Sequence, residues 1–233
     1  MTSISDTRTF TCPVCSEQFT GQILTFDGRE LLANRACEPC VQARQDERRS
    51  ITETAQRSHL DAEWQIVCPP LYRETQRSRL NADVLAFVDQ WDGSRSIGLI
   101  GKPGTTKTRC AFLALRSQHR KGLSCAYTTG SGLATALANS ASNFTEERSE
   151  GKAHIASVKT ADVALIDDLG KQRFTDAGEQ LIYDILETRN AFKRPTIWTS
   201  NSNARQLKAR LSDDRADAIL RRLAEFSDIH QAK

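Results

Sequence analysis

The sequence is short of several things, and each shortage excludes something. No stretch of its 233 residues approaches the run of roughly 18 to 20 apolar side chains that a membrane-spanning helix needs, so no membrane partner is expected. The segment from Met1 to Arg8 is polar and lacks the apolar core of a secretory signal, and a cytoplasmic location is expected. There is no internal repeat and no low-complexity tract. Seven cysteines is an odd number, which argues against a fully paired disulfide framework. The first 66 residues contain no lysine: seven arginines stand there against ten acidic groups, whereas the remainder carries 25 basic and 19 acidic groups. The overall charge of +3 thus hides an asymmetry, and any attraction for a nucleic-acid backbone belongs mainly to the later part, a merely solvated surface being the alternative. What is present, 39% hydrophobic and 26% charged residues, is ordinary for a globular protein.

Four of the cysteines are spaced for metal. Cys12 and Cys15, and Cys37 and Cys40, form two C-x-x-C knuckles separated by 21 residues. Four thiolates make a closed tetrahedral Zn²⁺ site, which is structural because no position stays open for substrate. Such a site supplies folding energy to about 40 residues that could not otherwise bury a stable core. The stretch Gln22 to Leu32 between the knuckles reads as short ribbon strands. Iron–sulfur ligation and a redox dithiol are the rival readings, the second disfavoured by two matched knuckles. Cys68, Cys110 and Cys125 read as buried or free thiols. Residues 1–42 are therefore read as a four-cysteine module resembling a zinc ribbon. With no lysine and a net acidic charge, it is better suited to a protein partner than to phosphates. Residues 43–68, polar and with no glycine before Pro69, read as a helical linker, and 69–233 as a larger domain.

That larger domain alternates strand and helix. Ser96–Ile100, Ser124–Thr128, Ala161–Ile166 and Thr196–Thr199 read as strands; Lys107–Leu115, Leu133–Ala138, Asp176–Phe192 and Leu207–Phe226 read as helices. The alternation predicts an α/β fold with a mostly parallel sheet flanked by helices. Between the first strand and its helix lies Gly101-Lys102-Pro103-Gly104-Thr105-Thr106-Lys107-Thr108. This is the strand–turn–helix setting of a phosphate-binding loop, whose amides and helix N-terminus surround a triphosphate. Gly101, Gly104, Thr105 and Thr106 would line the cradle, Lys107 would meet the terminal phosphates, and Thr108 would offer its hydroxyl to Mg²⁺. Thr106 stands where glycine is usual, and a β-branched residue resists the backbone angles that glycine adopts there. The strand Val163–Ile166 runs into Asp167 and Asp168, placing two carboxylates at the sheet edge where ligands bind in such folds. Asp167 would hold Mg²⁺; Asp168, shorter than the usual Glu, would orient or deprotonate an attacking water. Asn201, ending the last strand, would sit beside Asp168 if the two strands are neighbours.

Together these motifs resemble the DnaC/IstB-like branch of AAA+ ATPases, the helicase-loader and transposition-helper group. The resemblance runs from about Pro69 to His230. It rests on Pro69-Pro70-Leu71-Tyr72-Arg73, the phosphate loop, Leu165–Lys171, Pro195–Asn201 and Ile219-Leu220-Arg221-Arg222-Leu223. It implies an AAA+ core binding ATP and Mg²⁺. Asn201 takes the sensor 1 position. Arg222, or alternatively Arg221, is the arginine finger that reaches the ATP of a neighbouring subunit. Arg189 falls where the family tends to keep a basic residue, and a surface salt bridge is expected of it. A DNA-replication role follows: an ATP-dependent homo-oligomer on single-stranded DNA, with a replicative helicase, or else a transposase, as protein partner. Thr106 and Asp168 depart from the common pattern and raise the alternative of a non-catalytic, zinc-dependent adapter.

Overall fold

The computed structural model describes residues 3–26, 29–32, 35–171 and 174–232, in two compact units, Met1–His59 and Leu60–Lys233. In the first, β1 (Ser3–Thr11), β2 (Gln18–Phe26) and β3 (Arg29–Leu32) form an antiparallel sheet in that order. The expected ribbon strands are thus present, although Asp27 and Gly28 of that stretch lie outside the described residues. Helix α1 (Glu38–Val67) follows and is longer than the predicted 43–68 linker, because it begins inside the second knuckle and carries Cys40 in its first turn. It is polar on every face, and Trp64 alone in it is buried.

In the second unit, α2 (Pro70–Arg73) and α3 (Ala82–Asp89) lead to an all-parallel five-stranded sheet. Its strands are β4 (Ser96–Gly101), β5 (Cys125–Thr129), β6 (Val163–Asp167), β7 (Thr196–Ser200) and β8 (Ser227–Ala232), in the order β5-β6-β7-β4-β8. Between them run α4 (Lys107–His119), α5 (Gly130–Ser140), α6 (Thr145–Thr160), α7 (Asp176–Ala191), α8 (Ala204–Lys208) and α9 (Asp213–Phe226). The strands alternate their apolar side chains between two cores. Ile97, Leu99, Val163, Leu165 and Ile197 face Cys110, Phe112 and Leu115 of α4 and Val84 and Val88 of α3. Ala164, Ile166 and Trp198 face α5, α6, α7 and α9. Gly98 is required where it stands: a Cβ there would lie 2.3 Å from the Trp198 ring.

Besides the longer α1 and the short helix α3, three features differ from the sequence reading. Helix α6 was not anticipated, because its sequence is polar and interrupted by Gly151. That glycine is what lets it pack, since a Cβ would lie 2.5 Å from the Ala136 carbonyl oxygen of α5. The predicted helix Leu207–Phe226 is two helices: the carboxylate of buried Glu179 accepts the Ser212 N–H at 2.7 Å and its hydroxyl as well, fixing a turn between them. Strand β8, Ser-Asp-Ile-His-Gln-Ala, is too polar to announce itself and pairs on one side with β4.

Candidate nucleotide site and cysteine cluster

Parallel strands all end at one edge of the sheet, and the order β6-β7-β4 brings the acidic strand, its polar neighbour and the strand before the loop to that edge together. Lys107 is buried at 6% exposure. Its ammonium donates to the carbonyls of Gly101 (2.9 Å) and Lys102 (2.8 Å) and to Thr105 Oγ1 (3.2 Å). Burial pushes its pKa down, while the charges of Asp168 and Asp167 pull it back up. Gly104 has φ +89°, a left-handed position suited to glycine. Thr106 also lies in the left-handed region, at φ 58° and ψ 15°, so the residue does adopt the geometry that its branched side chain resists. Its side chain makes no cap on α4, leaving the first-turn amides of that helix without a side-chain acceptor. Its hydroxyl instead accepts the N–H of Asn81 at 2.9 Å.

Across the site, Thr108 Oγ1 donates to Asp167 Oδ1 at 2.8 Å, and Thr199 Oγ1 donates to the same oxygen at 2.6 Å. Asp167 is 5% exposed, and burial raises its pKa above the usual carboxylate value, against the lowering influence of both hydroxyls. Asp168 turns into the left-handed region at φ 55°, held by its N–H to Thr199 Oγ1 at 3.0 Å. Its Oδ1 accepts from Asn201 Nδ2 at 2.7 Å, and its Oδ2 lies 3.5 Å from the Lys171 ammonium. Lys107, Thr108, Asp167, Asp168 and Asn201 are therefore brought to one place. Sequence reasoning gave no role to Thr199, which links the carboxylate of Asp167 to the backbone N–H of Asp168. A hydroxyl ending the strand beside an acidic one is the signal that could have found it.

These residues fit a magnesium–triphosphate. Uncapped α4 amides and a buried ammonium suit phosphate oxygens, and a hydroxyl paired with a buried carboxylate suits Mg²⁺. Gly101, Gly104, Thr105, Thr106 and Lys107 would hold the phosphates, with Thr108 and Asp167 on the metal.

Arg222 and Arg221 stand apart on α9. The Arg222 guanidinium pairs with Glu187, donates to Tyr183 Oη at 3.1 Å and is 18% exposed, whereas Arg221 is 74% exposed and 3.5 Å from Glu225. Arg189 corrects the expectation of a surface salt bridge. It is fully buried and donates to Thr196 Oγ1 (2.9 Å) and to the carbonyls of Val158 (2.7 Å), Ala161 (2.8 Å), Asp162 (3.4 Å) and Pro195 (2.6 Å). Three of those carbonyls lie at or just beyond the C-terminal end of α6, where the helix dipole favours a cation. Burial lowers its pKa to about 10.

In the first unit the sulfurs of Cys12, Cys15, Cys37 and Cys40 all lie within 4.8 Å of one another, with Cys15 and Cys37 at 3.5 Å. Sulfurs around one tetrahedral zinc with bonds of about 2.3 Å are separated by about 3.8 Å, so the set fits a single Zn²⁺ and is too close-set to enclose a polynuclear cluster. The amides of Cys15 and Cys37 lower Cys12 to about 6, while crowding against the sulfurs of Cys37 and Cys15 pushes Cys40 up to about 12. Four thiolates this close would need a cation between them, and Zn²⁺ would supply it by displacing the thiol protons.

Residues 70–233 match the family of IstB-like ATP binding proteins. The chain is 26% identical over 145 residues to the replicative helicase loader DnaC of Escherichia coli (strain K12), covering 61% of this chain and 58% of that protein. It thus spans little more than half the length of this curated relative. Among solved structures it superposes on DnaI with a TM-score of 0.58 at 18% identity, over 71% of this chain and 95% of that one. On the DnaC helicase loader the TM-score is 0.52 at 20% identity, over 64% and 86%. These likenesses establish the AAA+ fold, and the family match covers the whole second unit beyond its first ten residues: the chain belongs to the IstB-like ATP-binding proteins.

Proposed function

We propose that this protein is an ATP-dependent loader of DNA replication that places a replicative helicase on single-stranded DNA. The observation that carries the ATPase part is the continuous network Thr108–Asp167–Thr199–Asp168–Asn201 facing the buried Lys107. The helicase part is supported by the likeness to a replicative helicase loader. Bound ATP supplies a transferable γ-phosphoryl group whose charge Mg²⁺ and cationic side chains neutralise. Around it, Lys107 and the α4 amides bind the phosphates, and Thr108 and Asp167 orient the metal. Asn201 fixes Asp168 through Oδ1, which leaves Oδ2 to accept a proton from water, with Lys171 nearby to steady the charge. Arg222, once freed from Glu187, or the exposed Arg221, serves a neighbouring subunit. The basic excess after residue 66 meets the DNA backbone, and the cysteine module, lysine-free and acidic, docks on protein.

The test couples turnover to partner choice. Phosphate release is measured with and without single-stranded DNA, and the tagged protein is incubated with purified helicase or purified transposase in ATP. We expect DNA-stimulated turnover that Lys107→Ala abolishes, and retention of helicase. Absence of turnover, with Lys107→Ala matching the wild type in all binding assays, sinks the ATPase in favour of an adapter; retention of transposase alone sinks the loader.

A further inference from the structure

Thr106 occupies the glycine position of the phosphate loop, and its side chain is not idle. The hydroxyl reaches across 25 residues of sequence to accept the Asn81 N–H at 2.9 Å. Asn81 is the N-cap of α3: its side chain accepts the Val84 N–H at 3.1 Å and its carbonyl accepts the Leu85 N–H at 3.0 Å. The Asn81 N–H itself lies outside the helix, so α3 offers it no partner. One hydroxyl therefore joins the loop before α4 to the start of α3, and it does so at a residue held at φ 58°.

We propose that the Thr106 hydroxyl is a positioning group of the phosphate loop. It anchors the left-handed turn before Lys107 to the N-terminus of α3, so that a hydrogen bond between distant parts of the sequence does what backbone freedom does when glycine stands there. The proposal rests on the nucleotide reading of the site and deepens it. It makes a specific claim about chemistry: the hydroxyl matters and the methyl does not. Serine preserves the acceptor. Valine preserves shape and backbone preference but leaves the Asn81 N–H unpartnered. Glycine relieves the backbone strain yet cuts the tether. The phosphate loop then depends on how the segment before α3 is held, a dependence that a glycine loop lacks.

The experiment uses the full chain with Mg²⁺-ATP and Mg²⁺-ADP as probes. Binding is measured by calorimetry for the wild type, Thr106→Ser, Thr106→Val, Thr106→Gly and Lys107→Ala, with amide exchange at Asn81 followed in parallel. Thermal melts confirm that each variant is folded. We expect Thr106→Ser to bind both nucleotides within about twofold of wild type, Thr106→Gly about threefold to tenfold more weakly, and Thr106→Val about tenfold or more weakly, the scale of one lost hydrogen bond with its partner left bare. ATP and ADP affinities fall together, because the loop holds phosphates common to both. Asn81 exchange quickens in Val and Gly but not in Ser, a pattern that general destabilisation does not produce. Wild-type affinity in Thr106→Val, or tighter binding in Thr106→Gly, overturns the proposal while Lys107→Ala still loses binding and leaves the nucleotide reading intact. Unchanged binding in Lys107→Ala overturns the nucleotide reading, and the positioning role with it.

Discussion

Asp167 is a carboxylate kept at a cost. It is 5% exposed, two hydroxyls donate to its Oδ1, and burial still raises its pKa above the ordinary value. The sign of its effect on stability follows. A raised carboxyl holds its proton more tightly when folded, so its contribution to stability is fully present only below the ordinary aspartate pKa and is lost as pH rises from there through the raised folded value. Asp167→Asn keeps the Oδ1 acceptor for Thr108 and Thr199 and removes the buried charge. Attraction to the Lys107 ammonium opposes this, but burial is the larger influence on Asp167. We therefore expect the asparagine variant to be more stable by about 1 kcal/mol near neutral pH, or roughly 2–4 °C in melting temperature, while losing Mg²⁺-dependent nucleotide binding. The stability gap closes as pH falls towards the ordinary aspartate range. Melting curves from about pH 4 to about pH 8 check this, and an asparagine variant that melts lower at every pH contradicts it.

Arg189 acts between elements. It joins the C-terminal ends of α6 and α7 to the start of β7 and satisfies five oxygens from a position with no exposure. Arg189→Leu strands those acceptors and should lower stability by about 3–5 kcal/mol, roughly 10 °C in the melt. Arg189→Lys recovers only part of this, because an ammonium lacks the planar fork that reaches the several carbonyls together. A drop under about 2 °C for leucine contradicts the assignment. The same residue shows where the sequence stops being legible. An arginine near a helix end looks like a solvated charge until α6 is known to end against it, and α6 was itself hidden behind Gly151 and a polar composition. The buried strands were legible because runs such as Val163–Ile166 are apolar on both faces, as a covered parallel strand demands. The nucleotide site was legible because its chemistry is local: a Lys-Thr at a strand–helix turn and paired acids at a strand end. Its links were not. Thr199 joining the Asp167 carboxylate to the Asp168 amide and Thr106 reaching Asn81 depend on strand order and on the meeting of two helix starts, neither of which spacing along the chain encodes.

At the scale of the molecule, the two units rest on different sources of stability. The Leu60–Lys233 unit has two apolar cores, one on each face of its sheet; the first has a small cluster around Cys12, Ala36 and Cys37. Removal of zinc by a chelator selective for Zn²⁺ over Mg²⁺ should therefore unfold Met1–His59 alone, seen as loss of amide protection in β1 and β2, while the main melt and Mg²⁺-nucleotide binding stay unchanged. Loss of nucleotide binding on chelation contradicts that independence. Assembly is the other molecular-scale question, and it can be read without knowing the subunit count. If ATP is held by the loop of one subunit and completed by an arginine of the next, Lys107→Ala and Arg222→Ala damage opposite halves of one junction. Each variant alone is inactive. In an equal mixture, about a quarter of junctions pair the intact loop of an Arg222→Ala subunit with the intact arginine of a Lys107→Ala subunit, so about a quarter of wild-type turnover returns. Arg222 is 18% exposed and paired with Glu187, whereas Arg221 is 74% exposed, so the same mixture made with Arg221→Ala decides between them. If Arg221 is the reaching group, Arg221→Ala is inactive alone and recovers in the mixture, while Arg222→Ala keeps its turnover. A mixture no more active than its parts, for either arginine, would show that the site is completed within one chain.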